Sequence, residues 1–294
     1  MKLLGGIEAG GTKFNCIVGT DPEHIEAETR IPTTTPRETL EKVIDFFLPF
    51  SQSLKTLGIA SFGPVDLHTD SGTYGYITST PKDGWRNTDL LGPIQNALHI
   101  PIAFDTDVNG AAVGEYRWGA GRNIENMIYL TIGTGIGGGA LVSGKPQHGM
   151  LHTEMGHIFL PHNWEKDPFK GTCFYHGDCF EGIACGPAMQ QRWGIPAEEV
   201  PPDHAAWILE AHYIALALHA YVCVLSPERI ILGGGVMQQS HLFPLIRSEL
   251  KSSLNGYINT KEIIEGIDRY VVPPGLGNRA GVLGALALAD RLAS

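Results

Sequence analysis

The sequence is short of positive charge. Its 294 residues carry 21 Lys and Arg against 31 Asp and Glu, a formal net charge of −10. Binding along a phosphate backbone needs concentrated cations, so this balance excludes a nucleic-acid partner and attraction to an acidic membrane surface. A neutral substrate stays open, as does an anion held locally by backbone amides and one cation. Cysteine is scarce and odd in number: Cys16, Cys173, Cys179, Cys185 and Cys223. Such a count in a mid-sized chain is no disulfide framework. The opening "MKLLGGIEAGG" is not a secretory leader, because glycines and Glu8 break its apolar run at once. No apolar run reads as long enough to span a bilayer. The expected location is the cytoplasm.

What is present is an ordinary globular composition, 43% hydrophobic and 18% charged, enough for one large domain or two of usual size. "KLLGGIEAGGTKFNCIVGT" reads as strand, glycine turn, strand. The helical "PRETLEKVIDFFLPF" follows, with Pro36 at its start, then the buried strands "TLGIASFG" and "IPIAFDTD". From Asn126 the plan starts again: "NMIYLTIGTGIGGGALVSG" is once more a strand, a glycine turn and a strand. The apolar helix "DHAAWILEAHYIALALHAYVCVLS", the strand "RIILGG" and the helix "SHLFPLIRSELKSSL" come after it. An Ala/Leu-rich helix ends the chain. Strands alternating with helices, twice over, give an α/β architecture with a coarse internal repeat.

Chemistry concentrates in a few stretches. In "EAGGTK", Glu8, Gly10, Gly11, Thr12 and Lys13 surround a turn whose backbone N–H groups can approach a phosphate closely. A tight hairpin alone would also explain it. "TIGTGIGGG" repeats the device with Thr131, Gly133, Thr134 and Gly135, and one such loop per half is a stronger signal than either alone. A third cluster, Gly233, Gly234 and Gly235, lies between a strand and a helix, a geometry that suits a nucleotide's adenosine or α-phosphate region. "DTDVNGAAVGE" puts Asp105, Asp107 and Asn109 at a strand end. A carboxylate there is placed to take a proton from a hydroxyl, although Asp107 or Asn109 can equally cap the helix that follows. "STPKDGW" and "SFGPVD" read either as ordinary turns or as the lining of a sugar site.

The polar insertion "LPHNWEKDPFKGTCFYHGDCFEG" holds Cys173, His176 and Cys179 at intervals of three. With His157, from "HTEMGHI", they make a tetrahedral zinc complement. Four protein ligands leave no open position, so this zinc is structural. A redox pair would want Cys-x-x-Cys instead.

Taken together, these motifs resemble the ROK family of sugar kinases and sugar-responsive repressors, from Gly5 to about Ala287. The resemblance implies a two-domain actin-like ATPase (ribonuclease H-like) fold, each domain a mixed sheet flanked by helices. Residues 1–117 form a small domain, with the helix of 279–294 packed back on it, and 118–278 a larger one with the zinc loop. It implies Asp107 as general base, and Thr106, Glu154, His157 and Glu181 as the sugar site. His157, Cys173, His176 and Cys179 hold Zn²⁺, and ATP with Mg²⁺ lies on the glycine loops. Three positions depart from the family pattern: Glu8 replaces the usual Asp, His176 a usual Cys, and Thr106 the Asn that precedes the base in glucokinase-like members. "EAGGTK", "SFGPVD" and "TPKDGW" look instead like the bacterial fructokinase branch. The expected activity is ATP-dependent phosphorylation of fructose to fructose 6-phosphate by a homodimer. Alternatives are a mannose or glucose kinase and a non-catalytic sugar sensor.

Overall fold

The computed structural model describes residues Leu3 to Ala293. In chain order its elements are β1 (Leu3–Ala9), β2 (Lys13–Asp21), β3 (His24–Pro32), α1 (Pro36–Phe47), β4 (Leu54–Ser61), β5 (Tyr76–Ile77), β6 (Thr88–Asp89), α2 (Leu91–Leu98), β7 (Ile102–Thr106) and α3 (Asp107–Trp118). Then come β8 (Met127–Ile132), β9 (Ile136–Val142), β10 (Lys145–Pro146), α4 (Phe180–Ala184), α5 (Gly186–Trp193), α6 (Ala206–Leu225), β11 (Arg229–Gly233), α7 (Leu242–Leu254), α8 (Lys261–Ile264), α9 (Ile267–Tyr270), β12 (Val271–Val272) and α10 (Ala280–Ala293).

The chain divides into two compact units. The first runs to Arg122 and adds Pro146–Thr153 and the residues from Asn278 onward; the second is Asn123–Lys145 with Glu154–Gly277. The segment Pro146–Thr153, which the sequence leaves inside the second domain, therefore belongs to the first.

In the first unit the strand order is β3-β2-β1-β4-β7. β1 to β3 run antiparallel through tight turns, whereas β4 and β7 join parallel to β1. Parallel neighbours need a crossover, supplied by α1 and by the stretch holding α2. Pro36 starts α1 as expected, with Thr35 as the cap that accepts from the Glu38 N–H. Ile7, Phe14, Val43, Phe47, Leu57, Ile59 and Ile94 form the core. Trp85 belongs to it too: fully buried, it donates its indole N–H to the Thr34 carbonyl at 2.9 Å, so "STPKDGW" contributes an anchor rather than a sugar-lining aromatic. α10 returns to pack on α3, where Gly284 meets Gly110 and Gly114 so closely that a Cβ at Gly284 would strike the Gly110 backbone.

The second unit has the order β10-β9-β8-β11-β12, again a hairpin followed by two parallel strands. The sequence repeat is thus a repeat of topology. α6 is long and apolar enough to cross a membrane, contrary to the run-length reading of the sequence. Half of it is buried in this unit, as expected for a core helix that is apolar on most sides.

Candidate active site and metal centre

In the first unit, β1 and β2 end at the turn of Gly10, Gly11 and Thr12. The Gly10 N–H donates to the Lys13 carbonyl at 3.0 Å, and the Thr33 hydroxyl holds the Gly10 carbonyl at 2.7 Å. Nothing lies within 4 Å of where a Gly11 Cβ would stand, so this backbone faces open space. Glu8 accepts from the Asn15 amide at 2.7 Å, and its carboxylate lies against Gly281 in the first turn of α10, where the helix dipole favours a negative charge. The longer side chain is thus accommodated.

β7 delivers the acidic segment. Thr106 caps α3, accepting from the Asn109 N–H at 3.1 Å. Neither Asp107 nor Asn109 is the cap, which removes the simplest structural explanation for Asp107. Asp107 is the first residue of α3, and its Oδ1 accepts from the Val108 N–H at 2.9 Å. Thr106 itself is buried. Asp105, also buried, accepts from the Asn109 Nδ2 at 2.7 Å and the Thr106 N–H at 2.8 Å. His148 Nε2 approaches both Asp105 oxygens, at 3.1 and 3.0 Å. That hydrogen bond raises the His148 pKa, with burial opposing it. Asn109 Oδ1, buried, has no donor among the described residues. Reversing the amide would set oxygen against carboxylate oxygen, so its orientation is fixed.

In the second unit the two remaining glycine loops come together. Gly235 N lies 3.6 Å from the Cβ position of Gly133, and Gly234 presses on Ile132 with φ at +94°, a conformation only glycine adopts cheaply. Thr134 is exposed beside them and Thr131 half-buried. A Cβ on Gly135 would stand 2.7 Å from Glu181 Oε2, the oxygen that accepts the Ile136 N–H at 2.9 Å. The loop and the first turn of α4 are therefore fitted to each other. Glu154 precedes a short turn holding Met155 to His157. Burial, and then the charge of Glu181, push its pKa up to about 7. Near neutrality this carboxyl can both donate and accept a hydrogen bond.

The Cys/His set assembles. Ligand atoms of His157, Cys173, His176 and Cys179 all lie within 4.8 Å of one another. His157 Nδ1 is 3.5 Å from Cys179 Sγ and 3.7 Å from Cys173 Sγ, and His176 Nδ1 is 3.6 Å from Cys173 Sγ. A zinc tetrahedron with Zn–S of ~2.3 Å and Zn–N of ~2.0 Å has S···N edges of ~3.5 Å. The donors fit that ion, and burial pushes the Cys179 thiol up to about 12, a cost that a cation would offset.

Two features went unread in the sequence. One is the Asp105–His148 pair. The other braces the insertion loop away from the metal: Asp167, buried, binds Arg192 through both oxygens (3.2 and 3.1 Å) and accepts the Tyr213 hydroxyl at 2.6 Å, while His162 joins it to Asp178. No spacing rule links residues so far apart.

The ROK family model matches residues 4–292. A fructokinase of Pediococcus pentosaceus is 44% identical over 288 residues, 98% of each chain. One of Zymomonas mobilis is 44% identical over 301 residues, 98% of this chain and 96% of that one. The crystal structure of a ROK family glucokinase from Streptomyces griseus in complex with glucose and AMPPNP superposes with a TM-score of 0.74, at 24% identity, over 98% of this chain and 99% of that one. With the family model spanning nearly its whole length, and with paired sheets of one topology, the chain belongs to the ROK family and has its actin-like ATPase fold.

Proposed function

We propose that the protein is an ATP-dependent fructokinase, making fructose 6-phosphate. The full-length likeness to fructokinases carries the substrate, and Asp107, at the start of α3 with the capping done by Thr106, carries the chemistry. In this reading Asp107 takes the proton of the sugar 6-hydroxyl. The oxygen attacks the γ-phosphorus of ATP in line, the bond to the β,γ-bridging oxygen breaks, and ADP leaves. Glu154, His157 and Glu181 hold the sugar. The Gly10–Gly11–Thr12 turn with Lys13, the Thr131–Gly135 loop and the Gly233–Gly235 loop hold the nucleotide's phosphates. Glu8 would help hold Mg²⁺, which would supply charge neutralisation of the phosphates. His157, Cys173, His176 and Cys179 hold a structural Zn²⁺ that fixes the chain just before Glu181. Thr106, buried and engaged with the Asn109 N–H, acts on sugar choice by lacking the amide of an Asn there. The resemblance supports a homodimer, which sedimentation tests, and the few, odd-numbered cysteines suit a cytoplasmic location.

A coupled assay with ATP and a panel of hexoses tests the reading. Fructose should exceed glucose in kcat/KM by at least about tenfold, ~1.4 kcal/mol of transition-state discrimination. Parity, or preference for glucose or mannose, would reassign the substrate within the family; no turnover of any hexose would favour a sensor.

A further inference from the structure

We propose that His148, held by Asp105, is a substrate-orienting residue that accepts a hydroxyl of the sugar at its Nδ1; this deepens the kinase reading above and rests on it. The carboxylate of Asp105 is buried. An ionised carboxylate only accepts hydrogen bonds. Oδ1 already takes the Asn109 amide and the Thr106 N–H, and His148 Nε2 sits at 3.0–3.1 Å from both oxygens. Asn109 Nδ2 also lies 3.3 Å from Nε2, but its amide hydrogen goes to Asp105 Oδ1 at 2.7 Å, and a nitrogen facing two carboxylate oxygens carries a proton and donates it. In the neutral ring the lone pair is then fixed on Nδ1.

Nδ1 has no hydrogen-bond partner among the described residues, and 42% of the side chain is exposed. The ring is thus fastened at one nitrogen and presented at the other. It also borders an open cavity of the first unit, with Leu67, His68, Gly149, Leu151 and His152. His152 is itself committed, accepting the Val65 N–H at 3.2 Å through Nε2, and His68 is held through Nε2 by the Met150 carbonyl at 3.0 Å, so of the three rings lining this cavity only His148 is fastened to the acidic segment that carries Asp107. Asp105 stands two residues before Asp107, on the last turn-free residues of β7. An imidazole anchored there is placed to hold the sugar while Asp107 works on its hydroxyl. A purely structural role, pinning Pro146–Thr153 to β7, would not require an exposed second nitrogen with a set tautomer.

Steady-state kinetics on the whole enzyme with zinc bound separate the two. His148→Ala should raise the KM for fructose by at least about tenfold, with kcat altered less and the KM for ATP within about twofold. His148→Gln, whose amide can still accept, should recover part of the loss. Asp105→Asn keeps an acceptor for Nε2 but not the charge, and should shift the pH profile of sugar KM while sparing that of ATP. Equal rises in both KM values, or a lower melting temperature with unchanged fructose KM, would overturn the inference. The wild type in the same plates tests the parent reading separately. If it prefers another hexose, the comparison is run on that hexose. If it turns over none, calorimetric fructose binding by wild type and His148→Ala decides, and equal or absent binding in both overturns the inference.

Discussion

Nδ1 of His157 lies 3.5 Å from Sγ of Cys179, the length of one edge of a zinc tetrahedron. His157 lies just before the polar insertion and Cys179 near its end, so an ion between them closes it. About one zinc per chain is expected by elemental analysis after purification without chelator. Cys179→Ser should lose that zinc and the kinase activity, because Glu181 lies two residues on. ATP binding should persist. The Asp167–Arg192–Tyr213 cluster should keep the far end of the loop ordered, so hydrogen exchange should quicken around 171–181 and less around Asp167. A fully active, metal-free protein would end this account.

Asp107→Asn keeps shape and hydrogen bonding but removes proton acceptance. Turnover should fall by ~10²–10⁴-fold. Because Thr106 supplies the cap, melting temperature should barely change. Near-normal kcat in a folded variant would take catalysis away from Asp107.

Gly135→Ala tests the fit between the second glycine loop and α4. The new methyl would meet Glu181 Oε2, so the carboxylate must leave the Ile136 N–H. Losing that bond is worth about 1–1.5 kcal/mol, and kcat/KM for the sugar should drop by roughly tenfold. Unchanged sugar kinetics would show that Glu181 has room to move without consequence.

Glu210 predicts a pH effect on stability. It is buried on α6, and neither carboxyl oxygen has a hydrogen-bond partner among the described residues. Burial raises its pKa well above the carboxylate range, with Arg192 opposing. The folded state therefore keeps a proton that the unfolded chain releases near pH ~4.3. Its contribution is complete below that pH. It then declines by about 1.4 kcal/mol per pH unit until the folded pKa is reached. Glu210→Gln should flatten this decline, gaining melting temperature over wild type as pH rises from about 5 to 8. Parallel curves would mean the carboxyl ionises freely in the fold.

Much of the molecule was legible because it is local. Glycine hairpins, a strand ending in Asp105–Thr106–Asp107 and cysteines spaced around His176 are short-range patterns, and backbone sterics and ligand geometry fix their meaning within a few residues. Even the repeat of two sheets follows from two runs of the same local code. Other features depend on which distant surfaces are buried together. Trp85 became core because Phe14 and the Thr34 carbonyl await it in the folded unit. Thr106 outcompeted Asp107 for the cap because its side chain reaches the Asn109 N–H in the observed backbone. α10 crosses the whole sequence to shelter Glu8, and Gly133 meets Gly235 about a hundred residues on, since only a closed core brings those segments within van der Waals reach. His148 stood unremarked in the sequence for the same reason. It acquires a role only when Pro146–Thr153 folds against β7 and sets its ring on a buried carboxylate 43 residues earlier.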